Sequence, residues 1–170
     1  MRNLFLAAFT ALSVLICNAQ AADDKPIEPI IVGQAYLLDS AAHGLNPLPE
    51  EKWKEATVLT GGVSSPSSVS VVRIPGERSS FRVKAGTKTE FVFKIASPGD
   101  VSLYEFSGKR NREASYERLN PVQGTIQRIP GMPAQTTPYG QSYKLVPTVP
   151  LPRGEYLIFT GNKAFTFGVD

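Results

Sequence analysis

The sequence predicts an all-β protein folded as a single β-sandwich, with one short helix as its only helical element. The segment 89–96, TEFVFKIA, alternates Phe91, Phe93 and Ile95 with residues on the opposite side, a period of two that is typical of a strand with one buried face. Similar short segments recur after residue 55, separated by turn-forming pairs such as Pro-Gly and Gly-Asn. Many short strands at this spacing favour a sandwich or a barrel.

Strand patterns occur along most of the chain. In order they are IIVGQAYLL (30–38), ATVLT (56–60), VSVVRI (69–74), SFRVK (80–84), TEFVFKIA (89–96), VSLYEF (101–106), VQGTIQRI (122–129), YKLVPTV (143–149), EYLIFT (155–160) and AFTFGV (164–169). A turn-length connection separates 80–84 from 89–96, so these two strands are predicted to form a hairpin. The segment 130–141, PGMPAQTTPYGQ, is predicted to be an exposed, mobile loop.

The only helical pattern is PEEKWKEA, residues 49–56. Pro49 suits the first turn of a helix, and Glu50 and Glu51 would lie near the positive end of its dipole. Trp53, the single tryptophan of the chain, is expected to anchor this short helix on the core. Stacking of Trp53 on a sugar is the alternative.

Residues 1–21 have the features of a secretory signal peptide. Arg2 supplies a positive charge, an uncharged apolar stretch covers residues 4–16, and Ala19-Gln20-Ala21 matches a cleavage site. The apolar stretch is shorter than the ~20 residues that a membrane-spanning helix needs. We therefore expect residues 22–170 to form a single exported domain, located in the periplasm or outside the cell.

Cys17 is the only cysteine and lies within this predicted signal peptide. A lipoprotein, with Cys17 as the lipidated residue, is the disfavoured alternative because Ile16 precedes it where a small residue is expected. Since the exported domain would contain no cysteine, it is expected to be free of disulfides and to depend on packing for stability.

Charge is nearly balanced overall but uneven along the chain. Removing Arg2 from the 18 basic residues leaves 17 against 15 acidic residues, a net charge of +2. Residues 22–60 carry three lysines and seven acidic residues, whereas residues 73–112 carry nine basic and four acidic residues. These segments are expected to neutralise one another, and a basic face for an anionic partner is the alternative. Nucleic acid is not expected, because basic and aromatic residues are not interleaved.

Residues 151–170, LPRGEYLIFTGNKAFTFGVD, predict a hairpin with a tight turn at Gly161-Asn162. Leu151, Gly154 and Tyr156 have the spacing L-x-x-G-x-Y, which resembles the tyrosine corner of Greek-key sandwiches, where the tyrosine hydroxyl bonds to a backbone group. The resemblance implies an immunoglobulin-like or related Greek-key fold and carries no function. Immunoglobulin domains have a cysteine two residues after this tyrosine; this chain has an isoleucine, so aliphatic packing is expected there.

The YLIF segment of this hairpin is apolar on both faces. Leu157 and Phe159 point away from Tyr156 and Ile158, so a second apolar face needs a cover. A loop or the N-terminal segment is expected to cover it, and an exposed patch for a partner is the alternative.

Catalytic and metal-binding patterns are weak. Asp39, Ser40 and His43 are the residue types of a hydrolase triad, but triads are assembled from distant segments, and no G-x-S-x-G motif is present. A zinc site needs three or four cysteine, histidine or acidic ligands, and this chain offers a single histidine. The sequence contains no phosphate-binding or dinucleotide-binding glycine motif. We therefore expect no catalysis, no metal and no cofactor.

The candidate binding residues lie in two segments. SGKRNREASYERL, residues 107–119, is expected to be a solvated loop, and its alternative role is to bind an anion or polymer through Lys109, Arg110, Arg112 and Tyr116. Trp53 is the remaining candidate.

The expected function is that of an exported, non-catalytic binding or interaction module of the bacterial cell envelope. Its partner is expected to be another envelope or extracellular protein, with an anionic polymer or a glycan as the alternative. A carbohydrate- or small-ligand-binding sandwich is the second reading, and an enzyme is the third.

Overall fold

The computed structural model describes residues 25–60, 67–107, 111–120, 125–128, 130–160 and 162–170, and within them the protein is built of β-strands. These residues contain no α-helix and only one single-turn 3-10 helix, Pro98–Asp100. The prediction of an all-β protein is therefore confirmed. The signal peptide predicted for residues 1–21 lies outside the described residues.

The strands are numbered in chain order. They are β1 (Ala35–Asp39), β2 (Gly44–Pro47), β3 (Lys54–Thr60), β4 (Ser67–Pro75), β5 (Arg82–Val83), β6 (Phe91–Phe93), β7 (Ser102–Glu105), β8 (Asn111–Asn120), β9 (Thr125–Arg128), β10 (Ala134–Tyr139), β11 (Ser142–Pro147), β12 (Gly154–Phe159) and β13 (Ala164–Val169).

Three sheets contain these strands. Sheet A has the order β10-β11-β6-β1-β2, sheet B has the order β5-β13-β12-β7, and sheet C has the order β3-β4-β8-β9. Neighbouring strands are antiparallel except for β5 and β13, which are parallel.

Sheet B lies between the other two sheets and is buried on both faces. One core joins it to sheet A; its large side chains include Phe91, Phe93, Leu145, Leu103, Tyr156, Ile158, Phe165 and Phe167. A second core joins it to sheet C; it contains Val72, Ile74, Tyr104, Ala114, Leu157, Phe159 and Ala164, with Trp53, Phe106 and Tyr116 packed against it. The sequence predicted one core between two layers, whereas the structure has two cores between three.

The apolar second face of β12 is covered, as expected. Leu157 is fully buried and Phe159 is only 6% exposed. The cover is sheet C, however, and not a loop or the N-terminal segment. The hairpin of β12 and β13 is also confirmed, with pairing from Gly154 and Val169 to Phe159 and Ala164. Tyr156 is fully buried, and its hydroxyl donates a 2.7 Å hydrogen bond to the Pro152 carbonyl, as the tyrosine-corner pattern predicts.

The short helix predicted for residues 49–56 is wrong. Residues 49–51 run along the edge of β13: the Glu51 amide donates to the Ala164 carbonyl, and the Thr166 amide donates to the Pro49 carbonyl. β3 then begins at Lys54. A single possible helical turn has little intrinsic stability, because nucleation fixes several residues for one hydrogen bond. Residues 49–51 therefore form backbone hydrogen bonds with the buried strand β13 instead of a helical turn.

Two other local predictions are wrong as well. The strands of the hairpin predicted from 80–84 and 89–96 belong to different sheets, since β5 pairs with β13 and β6 pairs with β1 and β11. The predicted loop 130–141 contains β10, which pairs with β11 along its whole length. The connection between β5 and β6 crosses from sheet B to sheet A and does not reverse within one sheet.

Candidate functional site

Trp53 lies at the seam between sheets B and C. Its ring meets the ring of Phe159 edge to face, with 5.1 Å between centroids, and its indole N–H donates to the Asn162 carbonyl at 3.3 Å. The side chain is half-buried, so it both packs on the core, as expected, and borders solvent. It lines a cleft of about 750 Å³, which we call the Trp53 cleft; the lining residues are Glu50, Glu51, Lys52, Trp53, Lys54 and Pro75.

A partly buried ion pair joins Arg112 to Glu51, one of the residues that line this cleft. Arg112 is 3% exposed, and its Nη2 donates to Glu51 Oε2 at 2.7 Å and to the Pro75 carbonyl at 3.3 Å. Its Nη1 donates to the Thr166 hydroxyl at 3.1 Å. Arg112 Nε has no hydrogen-bond partner among the described residues. Because Arg112 is buried, loss of Glu51 would be costly, since the guanidinium charge would then be left without its ion-pair partner.

The polar network continues across sheet B. The Thr166 hydroxyl donates to Glu51 Oε1 at 2.5 Å and accepts from the Ser79 hydroxyl at 2.9 Å, and the Ser79 amide donates to Glu155 at 2.6 Å. Glu155 is in turn paired with Arg82. This chain of contacts fixes the backbone that carries Trp53 to the central sheet.

The structure brings Trp53, Arg112 and Tyr116, three of the sequence-predicted binding residues, into one region. Tyr116 packs on Phe159 from β8, with 5.6 Å between ring centroids, so Phe159 contacts both Tyr116 and Trp53. Burial, followed by the neighbouring Glu55 carboxylate, raises the pKa of Tyr116 to about 12. Lys109 and Arg110 lie outside the described residues, so their proposed binding role stays a prediction.

Most of the loop predicted for residues 107–119 is strand β8, so that expectation is wrong. Arg112, Ala114 and Tyr116 face sheet B, while Glu113 and Ser115 lie on the other face. The alternation of β8 is not recognisable as a strand pattern in the sequence, because its first inward-facing residue is Arg112 and not an apolar residue. Arg112 is also engaged within the protein, through Glu51, and its ligand-binding role stays a prediction.

A second cleft adjoins the first across the turn between β12 and β13. It has a volume of about 290 Å³, and its lining includes Val32, Gly33, Ile95, Val101, Thr160, Asn162 and Lys163. Asn162 contacts Trp53 on one side and lines this cleft on the other. Lys163 Nζ pairs with Glu50 at 2.9 Å, so an ion pair bridges the rims of the two clefts.

An exposed apolar segment leads into the second cleft. Ile30, Ile31 and Val32 are 93%, 60% and 66% exposed. Val32 is held by a bridge to Lys94, and the Gly33 amide donates to the Lys94 carbonyl at 2.9 Å. We call the two clefts, the turn between them and this segment the turn surface.

The charges of the turn surface are unequal. Glu50 is paired with Lys163 and Glu51 is paired with Arg112. Lys52 and Lys54 are exposed, and within the part of the chain that the structure describes neither forms an ion pair. The acidic charges are therefore compensated internally, and the uncompensated charges at the rim are positive.

The other candidates from the sequence lie elsewhere. His43 is exposed in the turn between β1 and β2 and has a φ of 47°. The Asp39 carboxylate accepts the amides of Ala41 and Ala42, which stabilises that turn. In the described portion, no group of three or more His, Cys, Asp or Glu side chains is placed to hold a metal ion. The same residues include no helix of the length and apolarity needed to cross a membrane.

Comparisons with known proteins add no relative: no protein-family model, curated protein or solved structure shows significant similarity to this chain. The sequence identified Trp53 but missed Val32 and the ion pair of Glu50 with Lys163. The pattern predicts a strand over residues 30–38, whereas the strand begins at Ala35 and residues 30–32 precede it. Only the hydrophobicity of residues 30–32 was visible, and their exposure depends on how the chain enters β1 at Ala35.

Proposed function

We propose that this protein is an exported, non-catalytic interaction module that binds another protein through the turn surface. The observation that carries the proposal is that two adjacent clefts share Asn162 and the Lys163–Glu50 ion pair at their border, with exposed isoleucine and valine on one side and a half-buried tryptophan on the other. Tryptophan is among the residues most enriched at the energetic centres of protein interfaces.

The charges at the rim of the turn surface indicate the chemistry of the partner. Because Lys52 and Lys54 carry uncompensated positive charge, the surface favours a segment with apolar side chains flanked by acidic residues. Contiguous exposed apolar residues of this kind are typical of interaction sites.

The cellular setting is also part of the proposal. Export is supported by the charge, apolar stretch and cleavage pattern of residues 1–21. An immunoglobulin-like, Greek-key architecture is supported by the hydrogen bond from Tyr156 to Pro152, which has the geometry of a tyrosine corner.

A second candidate function is carbohydrate binding at the Trp53 cleft. It is favoured by the half-buried indole beside Glu50 and Lys52, since aromatic faces stack on sugars and charged groups orient their hydroxyls. Because Trp53 is the only tryptophan, its fluorescence reports on this cleft alone. A saturable change on titration with oligosaccharides, unaffected by a change at Val32, would favour this second function.

The test of protein binding compares exposed substitutions on and off the turn surface. We expect Val32→Asp, and separately the pair Lys52→Glu and Lys54→Glu, to weaken binding of the partner purified from envelope extract at least about tenfold, or ~1.4 kcal/mol. Val149→Asp and Lys84→Glu are matched controls, exposed and remote from this surface, and should bind as the unmodified protein does. Equal binding by all variants of unchanged melting temperature would refute the proposal.

A further inference from the structure

Strand β3 forms one edge of sheet C and begins at the rim of the Trp53 cleft. It has seven residues, all paired with β4 in a regular register from Lys54 and Arg73 to Thr60 and Ser67. In the sheet order, the other side of residues 54–59 has no neighbouring strand among the described residues. Such an edge carries a row of backbone N–H and C=O groups that another strand can pair with.

The other described sheet edges are short, interrupted or covered. β5 has two residues, while β2 and β9 have four each, and β2 ends in proline. β10 contains Pro138, which has no amide hydrogen. β7 is partly covered, because the Met132 amide donates to the Leu103 carbonyl at 2.6 Å. β3 contains neither proline nor glycine, and its pairing with β4 has no bulge.

We propose that β3 accepts an extended segment of the partner protein as an added antiparallel strand of sheet C. This inference rests on the proposed function as an interaction module and adds the mode of binding. The C-terminal end of the added strand would lie beside the turn surface, because Lys54 belongs both to β3 and to the Trp53 cleft. Strand addition obtains affinity from main-chain hydrogen bonds and specificity from alternate side chains.

The side chains of β3 define what the added strand carries. Ala56 and Val58 lie opposite Val71 and Val69, which are 4% and 5% exposed, so one face of sheet C bears an apolar stripe that continues to its edge. An added strand would extend this stripe with apolar residues opposite Ala56 and Val58. An acidic residue opposite Lys54 would complete the match.

The experiment uses a synthetic peptide, Thr-Thr-Val-Thr-Val-Lys-Asp. In antiparallel register it places valine opposite Ala56 and Val58, and aspartate opposite Lys54. We expect hydrogen exchange of alternate β3 amides to slow at least about tenfold at a peptide concentration near ~1 mM. Two control peptides carry N-methyl groups on alternate backbone nitrogens, in opposite phase. Only the phase that removes the amides facing β3 should lose binding.

Proline substitutions in β3 provide the reciprocal test. Because amides alternate between the two sides of a strand, one of Ala56→Pro and Thr57→Pro removes an amide aimed at β4, and the other removes an amide on the open side. The variant that keeps the native melting temperature should no longer bind the peptide.

Unchanged exchange of the β3 amides, or equal binding of both N-methylated peptides, would overturn strand addition. A dimer of this chain formed through β3 would also overturn it. Failure of the Val32 and lysine substitutions to affect the partner would instead refute the proposed function, so the two failures are distinguishable.

Discussion

Truncation of Leu157 tests whether sheet B is truly buried on both faces. Leu157 and Ile158 are consecutive residues of β12, both fully buried, and their side chains belong to different cores. At about 0.8 kcal/mol per buried methylene-sized group, Leu157→Ala loses roughly 2.4 kcal/mol of transfer free energy. The cavity left behind raises the expected loss to about 3–4 kcal/mol.

The assay is urea denaturation of Leu157→Ala, Ile158→Ala and Leu59→Ala, followed by circular dichroism. Leu157→Ala and Ile158→Ala should lower the free energy of unfolding by similar amounts. Leu59 is 82% exposed, so Leu59→Ala should change it by no more than about 0.5 kcal/mol. If Leu157→Ala were as mild as Leu59→Ala, sheet C would not cover this face, and the three-layer arrangement would be refuted.

Two further predictions concern sheet B. Burial, and then the nearby Glu105, raises the pKa of Tyr156 from 10.0 to about 12. The stabilisation from its neutral hydroxyl is therefore full below pH 10 and is lost as the pH rises towards 12. Tyr156→Phe should lower the free energy of unfolding by about 1 kcal/mol at neutral pH and reduce this alkaline loss, measured by denaturation at a series of pH values. A Cβ on Gly168 would overlap the Arg82 guanidinium, which must then move away from Glu155 and Asp170. Because the end of this side chain is flexible, Gly168→Ala should lower the free energy of unfolding by only about 0.5–1 kcal/mol, and adding Arg82→Ala should cost less than the sum of the single changes; additive costs in denaturation experiments would contradict the clash.

Part of the fold could be predicted from local patterns because those patterns match their surroundings. β13 alternates Phe165, Phe167 and Val169 with other residues after a turn, and the Tyr156 motif of β12 specifies its own hydrogen bond. β8 could not be recognised, since its inward position 112 holds an arginine whose partner, Glu51, is distant in sequence. Short spacing suggested a hairpin between β5 and β6, but each strand obtains more pairing from a different sheet.

The candidate site was less accessible to sequence reasoning. Trp53 could be named as a candidate because it is the only tryptophan, although the helix predicted around it is absent. The turn surface is assembled from the segments around residues 32, 53, 95 and 162, whose proximity depends on the packing of three sheets. The apolar pattern of a single segment does not indicate which other segments lie next to it in the folded protein.

The position of β12 and β13 in the chain has a consequence for biogenesis. A ribosome makes these strands after all the strands they pack against, and both hydrophobic cores are completed only by them. A nascent chain lacking residues 154–169 has only β5 and β7 of sheet B, and neither core has its central strands. Both hydrophobic cores can therefore close only after the C-terminal hairpin has been synthesised.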